Sequence, residues 1–133
     1  PSPDGRWVAW ETAGVHDLLG IVPTDGTAGP TTLDFFFGSS ARELSWAPAS
    51  PFLAALYTAP SGLAELRVYD VRRGQRLAVP WAPECRPAAR CQVRGYDWDA
   101  AGTLRVRTDA PGRDERPYEV DVATLEPMSP AVR

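Results

Sequence analysis

Lysine and asparagine are absent from the 133 residues, isoleucine occurs once, at Ile21, and histidine once, at His16. All 14 basic residues are therefore Arg, a bias expected of a GC-rich bacterial genome. A single histidine removes most zinc sites, most Ser-His and Cys-His nucleophilic pairs and most imidazole proton relays. With 17 acidic residues against 14 basic ones, the net charge of −3 provides no basic face of the kind nucleic acid requires. No apolar run approaches the roughly 20 residues that a membrane-crossing helix needs. Neither nucleic-acid binding, nor a membrane span, nor a metal, nor a cofactor is expected. An initiating Met and a basic-then-apolar leader are also missing before Pro1, so a processed chain or a piece of a longer protein is expected.

Apolar residues make up 44% of the chain and charged residues 23%, which suits one folded domain and not a disordered segment. Fourteen prolines and 11 glycines interrupt every stretch in which an apolar 3.6-residue period could develop. Helices are therefore expected to be scarce, and the chain reads as all-β. Strands are expected at Arg6–Glu11, Leu18–Pro23, Thr31–Phe37, Arg42–Trp46, Phe52–Thr58, Ala64–Val71, Gln75–Val79, Gln92–Trp98, Thr103–Thr108 and Pro117–Val122, with a weaker candidate at Thr124–Pro127.

These strands fall into a repeat. Ser2-Pro3-Asp4-Gly5-Arg6-Trp7-Val8-Ala9-Trp10 is followed by Ser45-Trp46-Ala47-Pro48-Ala49-Ser50-Pro51-Phe52, and then by Tyr96-Asp97-Trp98-Asp99-Ala100-Ala101-Gly102-Thr103-Leu104. Aligning Pro3, Pro48 and Ala100 gives spacings of 45 and 52 residues. Asp70-Val71 and Asp121-Val122 end later strands of the second and third units at matching places. Repeats of roughly 40–50 residues holding about four strands are the signature of β-propeller blades. The Ser-Pro-Asp-Gly phrase at Ser2–Gly5 resembles the Pro-Asp repeat of TolB-like and WD-repeat-like bacterial propellers. The second unit keeps Trp46 and Pro48 but has Ala49-Ser50 for Asp-Gly, and the third keeps only Asp99 and Gly102. The resemblance implies β-propeller-like four-stranded antiparallel blades in units of approximately 1–45, 46–95 and 96–133.

Three units are too few for a closed ring in one chain, since propellers typically have four to eight blades. The remainder could lie in further chain, copies could associate to complete the propeller, or the units could form an open stack with capped ends. Phe52-Leu53-Ala54-Ala55-Leu56-Tyr57 does not alternate, as expected of a strand covered on both faces. Leu104 and Val106 alternate with Arg105 and Arg107, so the third unit should have one polar or ion-paired face and end the stack.

Cys85 and Cys91 enclose five residues, Arg86-Pro87-Ala88-Ala89-Arg90, in a Pro- and Ala-rich loop. A disulfide there would order the loop, contributing about 2 kcal/mol in the chain-entropy model, and would fit a periplasmic or secreted protein. Reduced, half-buried thiols are the alternative. A zinc site or a catalytic thiol lacks its further ligands or its nearby base. His16 is expected in a solvent-exposed turn, where it and Asp17 could at most hold a metal or move a proton. The acids Asp34, Asp97, Asp99, Glu119 and Asp121 lack calcium-loop density, and Asp70 and Asp121 are best read as turn caps. Of five tryptophans, Trp46 and Trp98 recur before the turn and should pack between units. Trp81 does not recur and is the aromatic candidate for recognition.

The functional reading is a non-catalytic binding or scaffolding module that recognises a protein or peptide through blade-end loops, with Trp81, Arg86, Arg90 and His16 as candidate contacts. Two alternatives are a fragment of the propeller of a hydrolase or peptidase whose catalytic residues lie elsewhere, and a self-assembling half-propeller.

Overall fold

Proline and glycine cut the chain into short segments rich in β-branched and aromatic residues, and ten of these are strands in the computed structural model. The structure describes residues 1–12, 16–37, 41–48, 51–58, 64–80, 93–108 and 118–128. The strands are β1 (Trp7–Glu11), β2 (His16–Pro23), β3 (Thr31–Phe37), β4 (Ala41–Trp46), β5 (Phe52–Thr58), β6 (Ala64–Asp70), β7 (Gln75–Leu77), β8 (Val93–Trp98), β9 (Thr103–Thr108) and β10 (Tyr118–Asp121). They form three antiparallel meanders, β1-β2-β3, β4-β5-β6-β7 and β8-β9-β10, and none closes into a barrel. The fold is all-β and blade-like, with four strands in the middle sheet and three in each outer sheet among the described residues.

Backbone bonding explains why the motif repeats. Each turn begins with an N–H that reaches the first carbonyl of the next strand: Ser2 to Trp7 at 2.8 Å, Ala47 to Phe52 at 2.9 Å and Asp99 to Thr103 at 2.9 Å. β1, β5 and β9 are thus equivalent, and their first residues lie 45 and 51 positions apart, the second spacing falling one short of the 52 in the motif alignment because the third turn is one residue shorter than the first two. Gly5 and Gly102 sit at φ 73° and 87° in these turns, a region glycine enters without a Cβ penalty. The strand carrying Trp46 or Trp98 pairs with the strand after the turn, so the sheets change over between Phe37 and Ala41 and between Leu77 and Val93, somewhat earlier than the motif-based unit limits.

The middle sheet is covered on both faces. Leu53 and Ala55 of β5 pack with Tyr69 of β6 against Leu19 and Ile21 of the first sheet. Ala54 and Leu56, one residue out of phase, pack with Leu66 and Val68 against Tyr96, Leu104, Val106 and Val120 of the third. The period-two alternation of a strand therefore feeds two cores at once, which is why Phe52–Tyr57 is apolar throughout. Trp46 packs in the first core and Trp98 in the second. In the third sheet Leu104 and Val106 are fully buried, while Arg105 and Arg107 lie on the outer face and bind Asp97 at 2.9 and 3.1 Å.

Two local expectations change. His16 opens strand β2, its backbone paired with Phe37, and does not lie in a turn, because the β2–β3 ladder runs on past Leu18. Thr124–Pro127 is not a strand of its own sheet. A 3₁₀ turn at Val122–Thr124, capped by Asp121, redirects the chain, and Ala78 N–H donates to Glu126 O at 2.8 Å while Met128 N–H donates to Arg76 O at 2.9 Å. The third unit thereby covers the free edge of β7 in the middle sheet.

Candidate functional site

At the turn end of the sheets the carboxylates are occupied by backbone. Asp4 accepts from the Ser2 hydroxyl at 2.6 Å and from Arg6 N–H, and these bonds hold its pKa below the usual value. Asp25 is lowered in the same way by the hydroxyl and N–H of Thr27. Asp99 accepts from Ala101 and Thr103, Asp70 from Arg73 and Asp121 from Ala123, so the expected capping roles of Asp70 and Asp121 are present. The wide cleft beside these turns, about 640 Å³ and lined by Asp4, Arg6, Asp25 and Arg72, thus has both of its carboxylates already bonded within their own turns. Among the described residues no group of three or more His, Cys, Asp or Glu side chains comes together as a metal-ion site, and no helix is long and apolar enough to cross a membrane.

Two polar networks lock the sheets together. Between the first and second sheets, Asp34 of β3 accepts from Arg67 at 2.9 Å and from the Tyr69 hydroxyl at 2.6 Å. Arg67 also binds Glu65 at 2.8 Å and lies 4.0 Å over the ring of Tyr57. Between the second and third sheets, the Trp98 indole N–H donates to Ser45 Oγ at 3.0 Å, Ser45 donates to the Tyr96 hydroxyl at 3.0 Å, and Tyr96 donates to the Glu43 carbonyl. Glu43 sits at φ 50° within the bulge of β4, and this exposes the carbonyl that Tyr96 reaches. Burial pushes the Tyr96 hydroxyl up to about 12, and burial followed by the charge of Asp34 pushes Tyr69 up as well.

A pH dependence follows. A tyrosine whose folded pKa is raised contributes stability that is whole below its unfolded value of 10.0 and is lost as pH rises through the folded value. The unfolding free energy should therefore fall between about pH 10 and 12, so that in urea near the transition midpoint the fold is lost over that range. Absorbance at 295 nm and circular dichroism should change together over that range. Full ionisation of Tyr69 and Tyr96 before the loss of strand signal would contradict this.

The opposite, loop end of the sheets holds an apolar groove of about 280 Å³ between the second and third sheets. Leu66, Val79, Val93, Tyr118 and Met128 line it, with Glu65 and Arg76, 3.9 Å apart, at its polar side. Met128 is 44% exposed and stands beside β7 through the bonds of the 126–128 segment. These residues come from five separated stretches, and none was legible as a site from sequence spacing. Trp81, Cys85, Arg86, Arg90 and Cys91 lie outside the described residues, as does the side chain of His16. Pro80 and Val93, the described residues that flank the 81–92 segment, both line the groove. No protein-family model, no curated protein and no solved structure matches the chain.

Proposed function

We propose that this protein is a non-catalytic binding module that takes an apolar side chain of a peptide or protein loop into the groove between its second and third sheets. The observation that carries the reading is the groove itself: apolar walls, one ion pair at the side, and Pro80 and Val93, the described residues on either side of the 81–92 segment, on its wall. Such a site combines a desolvated pocket with polar groups able to meet a peptide backbone. The Pro-Asp phrase at Ser2–Gly5 supports placing the module among exported TolB-like proteins, and a disulfide between Cys85 and Cys91 belongs to that reading.

Met128 is the only methionine, so a [¹³C]methyl-methionine sample gives one resonance from the groove rim. Peptides selected by phage display on the full chain should shift it, and Val79→Asp should weaken their binding at least tenfold while the circular dichroism is unchanged. Selected peptides that leave the Met128 methyl unmoved would refute the assignment.

A further inference from the structure

We propose that the first sheet continues a longer array: chain ahead of Pro1 supplies a strand along the outer edge of β1 and, before that strand, a sheet of the same repeat that covers the Val8 and Trp10 face. Ser2 opens the same turn that joins β4 to β5 and β8 to β9, with the same N–H bond to the first carbonyl of the strand that follows. In both of those sheets the chain enters the turn as an antiparallel strand beside the one that leaves it, Trp46 opposite Leu53 and Trp98 opposite Leu104. Pro1 holds the place of Trp46 and Trp98, so the turn directs the preceding chain along β1.

The edge that this chain would meet is open. Thr24 N–H donates to Arg6 O at 2.9 Å and Thr12 N–H to Leu18 O at 3.0 Å, so Arg6, Val8, Trp10 and Thr12 turn their backbone groups to β2, and the residues between them turn theirs outward. Ser2 takes both groups of Trp7: its N–H donates to Trp7 O at 2.8 Å and its Oγ accepts from Trp7 N–H at 3.0 Å. Ala9 comes next on that edge, and among the described residues no strand pairs with it there. Its equivalents are paired, Ala54 with Ser45 and Arg105 with Asp97. β5 and β9 each have two neighbouring strands where β1 has one.

The face follows the same pattern. Val8 and Trp10 stand where β5 has Leu53 and Ala55 and β9 has Leu104 and Val106, all buried against the sheet before them. Ala9, Leu19 and Ile21 face the middle sheet, so Val8, Trp10 and Val22 point away from it. A Cβ at Gly20 would overlap the Trp10 indole, which packs on the bare backbone there. The far end of the stack is built for water instead: where β5 has Ala54 and Leu56, β9 has Arg105 and Arg107, ion-paired to Asp97 and about half exposed. A second copy of this chain would account for the apolar face but not for the turn that aims the chain at the open edge. A preceding sheet joined through Ser2 accounts for both.

Antibodies raised to the 133-residue chain capture the native protein for intact mass and peptide mapping. Its mass should exceed 14.5 kDa by about 5 kDa or more, one repeat of roughly 45 residues, and a peptide should run across Pro1. The Ala9 amide should exchange at least about 100-fold more slowly in the native-length protein than in the 133-residue chain. A native N-terminus at Pro1, or within a strand's length ahead of it, would overturn the proposal. So would a longer protein, folded by circular dichroism, in which Ala9 exchanges as it does in the shorter chain, or protection of Ala9 in the shorter chain by self-association at high concentration.

Discussion

Replacing Asp34 by Ala should lower the unfolding free energy by about 3 kcal/mol and the melting temperature by about 10 °C. Asp34 links β3 to the middle sheet, and two donors converge on one of its oxygens, Arg67 and the hydroxyl of the fully buried Tyr69. The side chains of Arg67 and Asp34 are 12% and 17% exposed, so the lost pairing is screened only in part. Removal of the carboxylate leaves a buried hydroxyl without this acceptor and takes one anionic partner from the Arg67 guanidinium, which keeps Glu65 and the face of Tyr57. Asp34→Asn should cost less, because it retains an acceptor for Tyr69. A double-mutant cycle with Tyr69→Phe should give a coupling of about 1 kcal/mol or more. Additive effects, or a loss for Asp34→Ala below about 0.5 kcal/mol, would show that the apolar contacts of Leu19, Ile21 and Leu53 hold these sheets without the network.

Tyr96→Phe should destabilise by about 2 kcal/mol, and Tyr96→Ala by about 4 kcal/mol, as measured by urea unfolding. The phenol spans two sheets: its hydroxyl meets the carbonyls of Glu43 and Ala54 and the hydroxyl of Ser45, and its ring fills the second core beside Leu104 and Val106. The Phe variant keeps the ring and loses the donor, which leaves the Glu43 carbonyl in the β4 bulge without its cross-sheet partner. The Ala variant adds a cavity. Ser45→Ala should cost about 1 kcal/mol, since it severs the Trp98 indole from the same chain of bonds. Equal costs for the Phe and Ala variants would mean that ring packing contributes nothing, contrary to the burial of Tyr96.

Much of the architecture was legible in local signals. Pro-Asp-Gly and related turns set strand limits because they act through the φ preferences and short-range bonds of a few neighbouring residues, and ten of the eleven expected strands are present within a few residues. The alternation of Leu104 and Val106 with Arg105 and Arg107 announced a polar outer face. The unbroken run at Phe52–Tyr57 announced a strand covered twice. The turn roles of Asp70 and Asp121 followed from their matching places in the repeat.

The site was not legible, and the reason is physical. The groove assembles Leu66, Val79, Val93, Tyr118 and Met128, whose proximity depends on how two sheets stack and on the 126–128 segment leaving its own unit to cover β7. Asp34 meets partners 33 and 35 residues away, a pairing that no repeat or motif marks. Strand limits, turn chemistry and the choice of buried or polar face arise from steric and hydrogen-bonding preferences within a few residues, and so they are written in the order of the amino acids. Which strands stack, which carbonyl a bulge exposes and where a groove opens depend on the register between distant segments, and only the packed sheets decide that.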